Sequence, residues 1–200
     1  MKRLFCIAVF ALCFVCTAVA DEAAARILKD IERNLAAMGA YRVEFEVVAG
    51  DYRSTGEYVV AGSNFYLRAD DTEVYVSDGV RREASHSKKE VTIDTADTSA
   101  RDIISNPSTG FSVLLEDFDS VMVSSSDGGQ RITLVPKGES SAHESVTVIV
   151  AKDGKFPKSI TYNTASGAIE VRLLGVETAS GGVPRFDKTK YEGYEMVDFR

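Results

Sequence analysis

From residue 41 to residue 93, short runs of alternating apolar and polar residues are separated by tight polar breaks. Few folds other than an antiparallel meander satisfy that pattern. Tyr41, Val43, Phe45, Val47 and Ala49 alternate with Arg42, Glu44, Glu46 and Val48, the period of two that marks a half-buried strand. Further strands are expected at residues 55–60, 64–69, 73–77, 81–85 and 89–93. Gly50-Asp51, Ala61-Gly62, Asp70-Asp71 and Asp78-Gly79 separate them, and Asp78-Gly79 is a strong hairpin turn because both residues tolerate positive φ.

The meander needs a cover, and the preceding residues supply one. Ala24, Ile27, Leu28, Ile31, Leu35 and Met38 recur at spacings of three and four, which predicts a helix over residues 21–38 that ends at Gly39. Arg26, Lys29, Glu32 and Arg33 fall mostly on its other side. Between Thr95 and Phe118 the alternation stops: Ser99 is placed to cap a short helix through Ile104, and Asn106-Pro107 interrupts regular structure. Phe111, Val113, Leu114, Leu115 and Phe118 then crowd together, as expected of a short helix or loop lying on an apolar surface. Strand signals resume at 121–125, 130–135, 145–150, 159–164 and 168–176, with Lys152-Asp153-Gly154-Lys155 as another hairpin turn. The sum is ten or eleven strands, one strong helix and one or two weaker ones.

The first twenty residues set the compartment. Lys2 and Arg3 precede an apolar run from Leu4 to Val19 that closes on Ala18-Val19-Ala20, the three zones of a secretory signal peptide and too short a run for a secure membrane span. Cleavage after Ala20 would leave residues 21–200 as a single exported domain, with Cys6, Cys13 and Cys16 all removed, so neither disulfide nor thiolate chemistry is expected. A chain of that length hides roughly 70% of its unfolded surface without such staples. Without Lys2 and Arg3, 21 basic residues face 30 acidic ones, a formal net charge of −9. That balance disfavours nucleic acid, anionic lipid headgroups and stable membrane insertion.

Little in the sequence suggests covalent chemistry. His86 and His143 are far apart and lack a metal-ligand spacing, so no metal or cofactor is expected. Glu116, Asp117 and Asp119 form an acidic cluster without the alternating spacing of a calcium loop. Asp94 and Asp97 offer paired carboxylates whose separation the spacing does not define. What is plentiful is apolar side chain on strands, suited equally to a lined hollow and to a filled core.

In order along the chain, several segments resemble the periplasmic outer-membrane lipoprotein carrier (LolA-like) family. They are the amphipathic helix, the strand Tyr41-Arg42-Val43-Glu44-Phe45-Glu46, Gly56-Glu57-Tyr58, Asn64-Phe65-Tyr66-Leu67 and Val76-Ser77-Asp78-Gly79. Asn106-Pro107 before the apolar 111–118 segment, Ile132-Thr133-Leu134-Val135-Pro136-Lys137 and Ala151-Lys152-Asp153-Gly154 follow. The ending, Phe186-Asp187-Lys188 and residues 191–200, is similar to divergent carrier-like proteins of the Bacteroidota. Ala61-Gly62 stands where studied carriers have a basic residue and a proline, so Arg68 or another nearby basic group would have to replace the family's basic latch, or there is none.

The resemblance implies an α+β fold: a strongly curved, incomplete antiparallel β-barrel whose concave side is covered by the N-terminal helix and short helices. It implies a non-enzymatic periplasmic carrier that moves lipoprotein acyl chains between membranes. Its partners would be acylated lipoproteins, an inner-membrane release complex and an outer-membrane acceptor. Leu28, Ile31, Leu35, Phe111, Leu114, Leu115 and Phe118 are then expected to cover the hollow, and Phe45, Val47, Phe65, Leu67, Val74 and Val76 to line it. Glu44, Glu46 and Arg68 take a rim or latch role. Three rivals stand beside this reading: an envelope-stress or assembly module that binds a protein partner, a hydrolase using Asp94, Asp97 or Glu116, and a structural domain with a filled core.

Overall fold

The computed structural model describes residues 22–97, 106–109, 111–126, 129–138 and 144–200. The expected signal segment, the expected helix 99–104 and His143 lie outside the described residues. Helix α1 (Glu22–Ala37) opens the chain and stops where Gly39 takes a left-handed φ of 71°. Six strands follow: β1 (Ala40–Ala49), β2 (Tyr52–Ala61), β3 (Asn64–Ala69), β4 (Thr72–Ser77), β5 (Val80–Ser85) and β6 (Glu90–Thr95). The turn between β4 and β5 places Asp78 and Gly79 at φ values of 53° and 76°, as the Asp-Gly pair predicts.

A 3-10 turn at Pro107–Thr109 and the short helix α2 (Ser112–Asp117) lead into β7 (Phe118–Ser126) and β8 (Gly129–Pro136). Then come β9 (Ser145–Ala151), β10 (Pro157–Thr164), β11 (Gly167–Thr178), a second 3-10 turn at Lys188–Tyr191, and β12 (Glu195–Asp198). The eleven strand signals fall on β1 to β11. Strand β12 had no counterpart in the sequence reading.

The twelve strands among the described residues form one sheet in the order β12-β6-β5-β4-β3-β2-β1-β11-β10-β9-β8-β7. Every pairing is antiparallel except that of β12 with β6. The expected strongly curved, incomplete barrel is therefore wrong: the sheet is open, neither closed nor strongly curled, with β7 and β12 as its two edges. The physical reason is that each apolar face is covered by other parts of the chain, so the sheet does not need to roll onto itself.

On the first face, α1 buries Ala24, Leu28, Ile31 and Leu35 against Tyr41 and Val43 of β1, Val60 of β2, Phe65 of β3, and Val74 and Val76 of β4. The same core continues into Ile132, Leu134, Val146, Val148, Val150, Ile160 and Tyr162 of β8, β9 and β10. Each large aliphatic side chain so buried contributes about 1.5–3 kcal/mol. On the second face, Val59, Tyr66, Tyr75, Ala84 and Val91 form a separate core, covered by Tyr191 and the chain that follows β11. The two cores share no residue.

Candidate binding site at the mouth of the helical face

The strand register decides which side each expected site residue joins. Phe45 is cross-strand partner to Gly56, and Val43 to Tyr58, which is paired in turn with Leu67 and through it with Val74. These positions share the face under α1. Leu28, Ile31, Leu35, Phe65, Val74, Val76, Phe111, Leu114 and Phe118 come together there in one buried core, and Leu67 and Leu115 pack against it half-buried. Phe45 is buried beside Tyr58, with ring centroids 5.9 Å apart, and Val47 is half-buried next to it on β1.

Alternation sends Glu44, Glu46 and Arg68 to the opposite face. Arg172 Nη1 donates to Glu46 at 3.0 Å and Arg53 approaches the same carboxylate at 3.8 Å, while Arg68 pairs with Glu57 at 3.0 Å. Glu57 also holds Arg42 at 3.1 Å, and Arg42 reaches Glu177 at 3.9 Å. Two ladders of alternating charge thus cross the middle strands. A depression of about 760 Å³ lies over part of them, lined by Glu44, Arg53, Glu57, Arg68 and Asp70. It is the largest of those described, and its groups are held largely by neighbours: Arg68 pairs with Glu57, Arg53 approaches Glu46, and Asp70 accepts from the Ser54 and Tyr52 hydroxyls.

Open space connected to the helical face lies instead at the 3-10 turn 107–109. A cavity of about 520 Å³ has Phe65, Val76 and Ala96 as apolar wall and Arg81, Asp97 and Asn106 as polar wall. A second, about 280 Å³, is walled by Leu35, Tyr41, Val60 and Phe111, with Glu32 at its side. Both are bordered by Gly62, Ser108 and Thr109, so the turn forms a ridge between them. The ridge is built locally. Thr109 donates to the Asn106 carbonyl through N–H at 3.1 Å and through its hydroxyl at 2.8 Å, and Ser108 Oγ donates to Asn106 Oδ1 at 2.5 Å. Just beyond, Lys137 Nζ donates to the carbonyls of Leu115 and Glu116, each at 2.9 Å, and closes the C-terminus of α2.

The electrostatics of this face are those of neutral phenols in an apolar setting. Burial pushes the Tyr41 hydroxyl up to about 12. Burial, then the neighbouring Tyr41 and Tyr162, push Tyr58 higher still. These groups stay protonated at physiological pH and offer hydrogen bonds without charge.

Among the described residues no group of three or more His, Cys, Asp or Glu is placed to hold a metal ion. Asp94 is exposed, accepting from the neighbouring Thr95 N–H at 2.7 Å. No described helix is long and apolar enough to cross a membrane.

The sequence reading missed a second constellation on the other face. Glu73 accepts hydrogen bonds from the hydroxyls of Tyr66 at 2.7 Å, Tyr75 at 3.3 Å, and Tyr191, and His86 Nε2 lies 3.4 Å from it. The available signal was the recurrence of Phe186, Tyr191, Tyr194 and Met196 in an otherwise polar ending.

No protein-family model and no curated protein matches this chain. Among solved structures, an uncharacterized conserved protein from Thermus thermophilus is similar at a TM-score of 0.59 and 9% identity, covering 88% of this chain and 99% of the other. A LolA superfamily protein from Nitrosomonas europaea matches at a TM-score of 0.40 and 9% identity over 84% of this chain and 96% of that one. The MucA/MucB complex structure of Pseudomonas aeruginosa matches at 0.39 and 17% identity over 83% and 60%. These likenesses are distant, and the first is one of fold alone.

Proposed function

We propose that this chain is an exported, non-catalytic binding module of the bacterial envelope that engages a protein partner, whose apolar side chains enter the two cavities beside the 107–109 turn. The observation that carries the reading is the filled helical face. The side chains suited to lining a hollow are packed on one another, and the neighbouring open volume has apolar floors with mixed polar rims. A cavity of about 520 Å³ lies within the range of specific ligand sites. Its Arg81, Asp97, Asn106, Ser108 and Thr109 suit the amides of a peptide better than a bare hydrocarbon chain. The zoned first twenty residues support export to the periplasm.

The test is photo-crosslinking from Ser63 and from Thr109 in the full-length protein expressed in its own cell envelope. Discrete protein adducts lost on Phe65→Asp substitution are expected. Adducts to lipid alone at both positions would overturn the reading.

Carriage of acyl chains, as in the Bacteroidota-type carriers, remains a second reading because one observation favours it. Tyr58, Leu67 and Leu173 pack only partly buried against the helical core, and Val47 beside Phe45 is likewise only partly covered, a strip of apolar wall that fatty chains would cover more fully. Acylated lipoproteins, a release complex and an outer-membrane acceptor would then be the partners. Mass spectrometry of gently purified protein separates the two: near-stoichiometric bound acyl species support carriage, and ligand-free protein that also rejects lipoproteins dismisses it.

A further inference from the structure

The chain that follows β11 leaves the middle of the sheet and crosses to its far edge. Ala179 N–H is still bonded to the Ala40 carbonyl at 2.9 Å, and the exposed Gly181-Gly182 pair then frees the backbone, with Gly182 at φ 69°. From there to β12 the segment is anchored mainly by rings. Phe186 stacks on Tyr191 at 5.1 Å with an interplanar angle of 2°, and Tyr75 meets both edge-on at 5.6 and 6.4 Å. Tyr191 is buried, and its hydroxyl reaches Glu73 and lies 2.9 Å from that of Tyr75. Tyr194 meets His86 Nδ1 at 2.9 Å. The end is a four-residue strand laid parallel on β6, continued by the Phe199 N–H on the Ile93 carbonyl at 2.9 Å.

Three features make this segment separable from the body it covers. Its anchors are local, and the residues between them, Pro184, Arg185, Asp187 to Lys190, Glu192 and Gly193, are exposed. Its terminal strand is an edge with one bonded side. Its core shares no residue with the helical core, so the larger core does not depend on it.

We infer that the face formed by Val59, Tyr66, Tyr75, Ala84 and Val91 is a docking face for an extended, tyrosine-bearing segment, held in cis by residues 179–200 as an exchangeable strap. Glu73 is the catch, and the occupant it selects is defined by the strap itself: a phenol that donates to the carboxylate, a stacked ring five residues before it, and a short strand that adds to β6. Strap and partner segment then compete for one set of contacts. The inference is independent of the cavities on the helical face.

The test uses the full chain and a labelled peptide of its own residues 183–200. In the Tyr191→Ala variant the cis anchor is removed while Glu73 remains, so saturable binding of the peptide is expected, at least about tenfold tighter than to the unaltered chain. Adding Glu73→Gln to that variant should abolish the gain. Hydrogen exchange of the unaltered chain gives the second measurement. The strap amides, with those of Glu195 and Phe199 as reporters, should exchange faster than the amides of β1 and β11, because the strap opens while the sheet stays closed. Equal peptide binding by both chains, or strap amides that exchange only together with the central strands, would overturn the inference.

Discussion

Phe45 lies over Gly56 on the neighbouring strand, so closely that a Cβ built at Gly56 would stand 2.6 Å from the Phe45 Cζ and collide with the backbone carbonyl of Arg68. The ring fills the place a side chain would take, and the glycine lets β2 and β3 approach there. Gly56→Ala is expected to destabilise the protein by about 1–3 kcal/mol, since the carbonyl cannot yield as a flexible side chain would. Urea denaturation measures it, and the double variant with Phe45→Leu should recover only the part due to the ring.

Acid should loosen the strap side before the helical side. Burial alone would push the Glu73 carboxyl up, but hydrogen bonds from Tyr191, Tyr66 and Tyr75 and the nearby His86 hold it below the ordinary carboxylate range. Hydrogen bonds from Ser54 and Tyr52 lower Asp70, and Arg200 draws Asp198 down to about 2. All three groups bind protons more weakly folded than unfolded, so their contribution is complete above the unfolded values and fades as pH falls through the folded ones. Thermal melting from pH 7 toward pH 2 should show falling stability from about pH 4 downward, with a shallower slope in Glu73→Gln.

At the alkaline end the sign reverses. Burial raises the Tyr41 hydroxyl to about 12, and burial with the Glu73 hydrogen bond raises Tyr66 and Tyr191. Their contribution is complete below the unfolded value near 10 and is lost as pH rises through the folded values. Spectrophotometric titration should therefore show part of the tyrosine absorbance change only on unfolding.

Leu114 and Leu115 are neighbours with different duties. Leu114 is enclosed in the core under α1, whereas Leu115 is half-buried against its margin. Leu114→Ala should cost about 2–5 kcal/mol and Leu115→Ala about 1 kcal/mol. Loss of partner binding in Leu115→Asp with an intact melting transition would assign α2 to the binding surface. An equal loss of stability in the two alanine variants would contradict the packing.

Glu57 bridges Arg42 and Arg68 from a mostly covered position. Because both arginines are exposed to solvent, Glu57→Gln is expected to cost about 1 kcal/mol or less, and the difference should shrink in high salt. Denaturation at low and high ionic strength checks both.

The strands between residues 40 and 95 were legible because alternation and turn chemistry act over a few residues. Asp78 and Gly79 adopt their positive φ values for reasons contained in those two residues, and Ala24, Leu28, Ile31 and Leu35 announce a buried helix stripe by spacing. Most of the expected lining residues do share one face, since the period of two assigns them together. What alternation leaves open is whether such a face encloses space or a packed core. That depends on how α1 and α2 settle on side chains from β1 to β10, and the result is a core with open volume beside the 107–109 turn. The strap escaped notice because β12 is four residues long and carries acids at both ends.

By itself, the sequence determined the local elements: an N-terminal amphipathic helix, eleven strands and the turns that join consecutive ones, each encoded by neighbours in the chain. Only tertiary structure decided that β1 pairs with β11, that β12 lies parallel on β6, and that Tyr191 meets Glu73 across the sheet. Those contacts join residues more than a hundred positions apart. Such pairs are selected by the simultaneous burial of two faces, a condition that no short stretch of sequence carries.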